Sequence, residues 1–289
     1  MAKTELTKTI MARYDRLKTG RQNWETHWQE VADYMQPRKA DVTKTRSRGD
    51  KRTELIFDSS PIQAVELLAA SLHGMLTNPS TPWFTLRFKD NELDQDDEAK
   101  LWLESVTEVM YTAFNRSNFQ QEIFELYHDL ITFGTAAMFI EEDQTDLLKF
   151  STRHINEIYI TENDKGRIDT VYRRFKITLR AAAQQFGTNL SEEAKTKVEK
   201  DPFDEIDILH AVYPRIEFDP TKKNKENMEF ESVYLEYKNG NELSVGGFVE
   251  FPFVVPRYLK ASHEIYGRSP AMTALPDVKM LNEMSKTTI

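Results

Sequence analysis

His263 and Glu264 begin the pattern of a zinc-protease helix, in which two histidines hold the metal and the glutamate activates its water. The second ligand position is Gly267, which has no side chain to coordinate. The six histidines, at 27, 73, 128, 154, 210 and 263, are scattered, and a chain without cysteine has neither thiolate ligands nor a Cys nucleophile. Asp90, Glu92, Asp94, Asp96, Asp97 and Glu98 could attract a hard cation, but the glycine that bends an EF-hand loop is absent. The run reads instead as a solvated turn that places negative charge before the next helix N-terminus. No Gly-Lys-Ser/Thr phosphate loop and no Gly-x-Ser-x-Gly elbow occurs, and Gly246-Gly247 between strand-like runs reads as a hairpin bend. A Ser/His/Asp triad converges only in space and stays open at this level. No catalytic residue, metal or cofactor is assigned, and a non-enzymatic protein is expected.

One segment has the chemistry to meet phosphate. Arg38, Lys39, Lys44, Arg46, Arg48, Lys51 and Arg52 stand against only Asp41 and Asp50 between residues 38 and 53. The stretch reads as a mobile loop or arm: solvated, or in contact with DNA phosphates or an acidic neighbouring chain. It has no interleaved aromatic residue to stack on bases. The net charge of -9 argues against a surface that clamps nucleic acid throughout, although acidic walls suit a duplex that must slide past.

The elements around these residues follow from periodicity. Leu6, Ile10, Tyr14 and Leu17 share one helical face, and Trp24, Trp28, Val31 and Met35 another, so two helices are expected, separated by Gly20. Pro37 ends the second. Ser60 is the expected N-cap of a third helix, with Pro61 at its first position and Gln63 completing a capping box. From Ala64 to Leu76 that helix is apolar nearly all round and must be covered on several sides, by another subunit among its possible partners. Phe84, Leu86 and Phe88 alternate as a strand would. Trp102, Val106, Val109 and Ala113 mark a helix from about Asp97, and a further helix starts at Asn118 and stops at Gly134. Residues 135 to 260 are β-rich, with expected strands at 136–141, 147–150, 157–160, 170–177, 206–214, 229–237 and 248–258. Helices are expected at 179–186 and 191–200, and turns at Asn163–Gly166 and Asn239-Gly240. Ser269-Pro270 caps a last helix that Pro276 interrupts, and no Gly or Asn closes it by Ile289, so continuation into a longer helix is expected.

Composition agrees with a folded chain: 289 residues, 39% hydrophobic and 29% charged, with 17 Phe, 11 Tyr and 4 Trp, enough for one large or two moderate domains. The absence of cysteine suits a reducing compartment. Met1–Glu5 lacks a signal-peptide core, and the longest apolar stretch contains Glu66 and His73, so neither secretion nor membrane insertion is indicated.

Tyr266-Gly267-Arg268-Ser269-Pro270, followed by a helix with Leu281, Asn282 and Glu283, resembles the portal, or head-to-tail connector, proteins of short-tailed phages. The Arg13–Lys18 helix, Ala64–Thr77, Pro82–Leu86 and Leu130–Ile140 are similar to successive family segments in the same order. The resemblance implies an α+β fold: a helical part of a wing with one or two strands at 1–134, a β-rich wing subdomain at 135–265, and a turn into a stem helix at 266–289. It also implies a dodecameric homo-oligomeric ring at one capsid vertex, the conduit for DNA packaging and ejection. Implied partners are the major capsid protein and scaffold, a terminase motor, tail adaptor proteins and the double-stranded DNA in the channel, with no membrane. The implied location is the virion after assembly in the host cytoplasm. A DNA-binding accessory of a DNA-processing enzyme, or another neck or tail ring adaptor, are the alternatives.

Overall fold

A computed structural model describes residues 5–47, 49–90, 92–219, 221–222 and 224–288. Helix and antiparallel sheet are mixed, as an α+β chain requires, and the chain forms two compact units. The first comprises Met1–Thr26 and Asn156–Pro252, the second His27–Ile155 and Phe253–Ile289. These divisions interleave along the sequence.

In the first unit, β3 (Ile158–Glu162), β4 (Ile168–Thr178), β5 (Glu205–Pro214), β6 (Phe230–Glu236) and β7 (Glu242–Phe248) form one antiparallel sheet in sequential order. Its central strand is buried on both faces, so Ile208 to Tyr213 run as a continuous apolar stretch apart from His210. Leu209 and Ala211 meet Ile10 and Tyr14 on the opening turns of α1 (Glu5–Met35). Ile208 meets Leu179 and Ala182 of α5 (Leu179–Phe186) and Ala194 of α6 (Glu192–Lys200) on the other face. Thr178 and Ser191 cap these two helices through their side chains, as short polar residues before apolar-periodic runs do.

The second unit is built on α4 (Phe119–Phe133), with α2 (Ser60–Leu76), α3 (Asp97–Arg116) and α7 (Pro270–Thr288). A three-stranded sheet has the order β2 (Leu147–Arg153), β1 (Ala137–Asp143), β8 (Phe253–Val254). The outer edge of β2 is closed by side chains. Asn118 gives and takes a hydrogen bond with the Phe150 backbone at 2.8 and 2.9 Å, and the Glu122 carboxylate accepts from the Thr152 amide at 2.6 Å. An exposed strand edge invites pairing with another chain, and these two residues remove that option.

Several expectations need correction. α1 is one helix: Gly20 lies inside it where a side chain would point into open space, and the Arg21–Glu25 pair one turn on holds the helix together at 2.7 Å. A glycine costs such a helix about 1 kcal/mol, less than its packing on either side returns. α2 starts at Ser60 with Ser59 in the cap position, and it is the Asp58 carboxylate that accepts from the Ser60 amide at 2.7 Å. Residues 83–88 form no strand. The Tyr111 hydroxyl accepts from the Trp83 and Phe84 amides, both at 2.6 Å, and donates to the Phe84 carbonyl at 2.9 Å, so one side chain supplies the partners of a missing neighbour strand.

Within 248–258 Phe248 ends β7, Phe253–Val254 form the short strand β8, and Arg257 makes one isolated bridge to Thr135. Gly246 and Gly247 lie inside β7, opposite Ser232 and Glu231, and make no bend. A Cβ on Gly247 would stand 2.7 Å from the Lys225 carbonyl oxygen, so that glycine is required by close backbone approach. Pro276 lies within a continuous α7. It removes one backbone bond, while buried Ala271, Met272 and Leu275 before it and Asn282 beyond it hold the helix on course.

Candidate functional site: the basic strap and the turn into the last helix

The basic stretch is tied to its own unit by specific partners. Its first residues sit in a short 3₁₀ turn, Pro37–Lys39, immediately after α1. Arg38 pairs with Glu125 at 2.8 Å, and Lys39 bridges Glu125 at 2.7 Å and Asp129 at 2.5 Å, both on α4. Lys44 and Arg46 meet Asp33 at 2.6 and 3.7 Å, and Arg52 pairs with Asp41 and donates to the Arg38 carbonyl at 2.9 Å. Lys51 is exposed, and Arg48 lies outside the described residues.

The clasp of this strap is Gln29, a buried residue of α1. Its side-chain oxygen accepts from the Val42, Thr43 and Lys44 amides at 3.0, 2.8 and 3.2 Å. Its amide nitrogen donates to the Ala40 carbonyl at 2.7 Å and to Asp33 at 2.9 Å. A mobile arm would leave these backbone groups to water, so the segment is better described as a strap with an anchored first half. Burial pushes the Glu125 carboxyl up, but the hydrogen bonds and charges of Lys39 and Arg38 together outweigh it and hold it below the ordinary value. At the more deeply buried Asp129, burial dominates, and its carboxyl is raised in spite of Lys39.

The second predicted segment, Tyr266 to Pro270, closes the end of α4. A helix leaves its last carbonyls without intrahelical donors. Here the Thr132 carbonyl accepts from Ser269 Oγ at 2.8 Å, that of Phe133 from Trp28 Nε1 at 3.0 Å, and that of Gly134 from the Tyr258 amide at 2.9 Å. Gly134 caps α4 with φ 76°, the left-handed conformation that glycine adopts at least cost. Ser269 Oγ also accepts from the Met272 amide at 3.0 Å, which caps α7, so one hydroxyl joins the end of α4 to the start of α7. Tyr266 is buried edge-on against Trp28 with ring centroids 5.0 Å apart.

Gly267 has a role that its sequence context did not suggest. Its amide donates to Thr135 Oγ1 at 2.8 Å, and a Cβ there would stand 2.3 Å from the Gly134 carbonyl oxygen. The converse holds for Gly134, whose Cβ would meet the Gly267 oxygen at 2.3 Å. Two glycines distant in sequence thus allow two backbones to touch, and the tight turn expected at Gly267 is not the reason for it. Arg268 points outward into a two-point pair with Glu264 and is bridged through its backbone to Leu259.

The strap and the turn are therefore devices for joining helices. Sequence reasoning missed Gln29, Asp33, Glu125 and Asp129, which lie on helix faces at ordinary polar positions. The only available signal was the excess of cations that needed acidic partners somewhere. Among the described residues no group of three or more His, Asp or Glu side chains could hold a metal ion, and no helix is long and apolar enough to cross a membrane.

A fold that uses its buried polar groups to join helices fits an assembly component, and the family is defined by similarity along nearly the whole chain. A family model described as bacteriophage head to tail connecting protein matches residues 7–289, and the chain belongs to that family. Its similarity to individual proteins points to one kind of connector. A probable portal protein of Bordetella phage BPP-1 is 33% identical over 286 residues, covering 97% of this chain and 52% of that protein. The portal protein of Salmonella phage epsilon15 is 32% identical over 292 residues, covering 99% and 52%. The portal protein of Enterobacteria phage T3 is 22% identical over 96% of this chain and 51% of its own length. The chain spans about half the length of these relatives.

Proposed function

We propose that this chain forms the wing, and the entry into the stem helix, of a phage portal subunit. The subunit takes its place in a dodecameric ring at one capsid vertex, through which a terminase motor packs DNA and through which DNA later leaves. Capsid, scaffold and tail adaptor proteins are its other partners, and its role in the virion is mechanical. The observation that carries this reading is collinear similarity to two portal proteins, 33% and 32% identical over 97% and 99% of the chain. The helix-joining use of buried polar groups supports it. Most strap cations are occupied by carboxylates of their own unit, so release of phosphate counterions there would be small, and the accessory DNA-binding reading loses its main support.

Electron microscopy of the full-length gene product, produced without capsid partners, tests the proposal. A closed ring with a central channel is expected. Monomers at every salt and protein concentration would overturn it, and a ring located in particles below the capsid vertex would establish the neck-adaptor alternative.

A further inference from the structure

α3 is a twenty-residue helix in which no residue is buried. Its sequence is nevertheless amphipathic, and the outward stripe is apolar: Leu101 is 63% exposed, Trp102 60% and Val109 67%. Leu101, Ser105 and Val109 follow each other at four-residue spacing, and the ring of Trp102, the next residue after Leu101, stacks on Phe88 with centroids 6.3 Å apart. An exposed apolar patch of this kind marks a contact surface. Its rim is strongly acidic. The turn from Asp90 to Glu98 precedes it, Glu104 and Glu108 flank it, and Lys100 is the only cation between Asp90 and Asn115. A partner must therefore offer apolar groups within a basic rim.

The same unit carries such a surface on the loop from Arg257 to Arg268. Leu259 is 62% exposed, with Tyr258 and Ile265 exposed beside it. Arg257, Lys260 and Arg268 outnumber the loop's acidic residue, Glu264, with which Arg268 pairs. The loop is held in shape by reciprocal Leu259–Arg268 backbone bonds of 3.2 and 2.7 Å, by an Arg257 bond to the Ile265 carbonyl at 3.3 Å, and by a turn bond from Glu264 to Ala261 at 3.1 Å. A pre-formed loop loses little conformational freedom on docking.

We propose that the acidic-rimmed apolar face of α3 is the docking surface for the Tyr258–Ile265 loop of a second copy of this chain. The inference rests on the ring reading and gives it a specific contact. The two patches differ, so each copy offers one to each neighbour. Such a heterologous contact propagates head to tail and closes into a ring when the rotation permits. Apolar contact supplies the affinity, and the opposed rims set orientation and partner choice.

A complementation experiment on the full-length gene product tests this contact, read by mass photometry with thermal melts as the check on folding. Trp102→Asp and Leu259→Asp each remove one patch and leave the other. Each variant alone is expected to be monomeric, with association weakened at least about tenfold. Mixed in equal amounts, they are expected to form a one-to-one pair and stop there, because only the intact α3 face of one and the intact loop of the other remain. If the unmodified protein assembles and either variant assembles equally well, the contact is wrong while the ring stands. Two folded monomeric variants that do not pair on mixing overturn the assignment of loop to helix. An unmodified protein that stays monomeric overturns the ring reading and this contact together. Val109→Asp and Tyr258→Asp repeat the test on the same patches should either first variant melt early.

Discussion

The strap and the turn at Gly267 both join distant segments of one unit, yet they do so by different physics. The strap combines ion pairs of Arg38, Lys39, Lys44 and Arg46 with carboxylates on α1 and α4, two of them with exposed cations, and the buried amide clasp of Gln29. The turn is joined by neutral hydrogen bonds from buried groups and by backbone contact that only glycine permits. Exposed ion pairs each contribute little and weaken with salt, whereas a buried neutral contact is indifferent to salt and intolerant of added atoms. One joint should therefore respond to solution conditions and the other to substitution.

Four experiments, in decreasing order of expected effect, test that contrast. Gly267→Ala places a Cβ against the Gly134 oxygen with no flexible group to yield, so a loss of about 3 kcal/mol or more in urea unfolding is expected. A loss below about 1 kcal/mol would show that the two backbones can separate cheaply. Gln29→Ala strands the Val42, Thr43 and Lys44 amides and the Ala40 carbonyl, and about 2 kcal/mol is expected, with faster proteolysis in residues 40–52. Unchanged cleavage would mean that the ion pairs alone hold the strap. Ser269→Ala removes a cap and one acceptor-satisfying bond at the α4–α7 junction, for a loss of about 1 kcal/mol that high salt leaves unchanged.

The smallest effect is that of pH. Glu125 has a folded pKa below its ordinary 4.5, so the stabilisation it contributes is present above 4.5 and is lost as pH falls through its lower folded value. Asp129 is shifted upward and acts in the opposite sense, which makes the net acid response of the strap shallow. Protection of the Val42 and Thr43 amides against hydrogen exchange, taken relative to the intrinsic rate at each pH, should therefore fall modestly below pH 4.5, and Glu125→Gln should flatten that fall. An equal response at the Gly267 amide would erase the distinction between the joints.

Much of the local architecture was legible. Gly134 and Gly240 occupy the stop and turn positions assigned to them, Asn118 and Ser191, expected as first helical residues, stand one position earlier as N-caps, and α5 matches its predicted limits, because each depends on chemistry within a few residues. The family was legible too, in segments that keep the same order. β7 was hidden because its glycines look like a bend when their packing neighbours are unknown. The strand expected at 84–88 failed because alternation reports two-sidedness and cannot tell whether a neighbouring strand exists or a Tyr111 hydroxyl takes its place.

The same limit separates the two joints. By itself the sequence determined that a run of cations follows α1 and that a glycine and a Ser-Pro pair precede the last helix, because residue type and spacing contain that information. Only the tertiary structure decided that the cations meet Asp33, Glu125 and Asp129, that Gln29 clasps the strap, and that Gly267 exists to touch Gly134. Caps and periods are set by interactions a few residues apart, whereas these partners lie on elements whose meeting depends on how the helices pack.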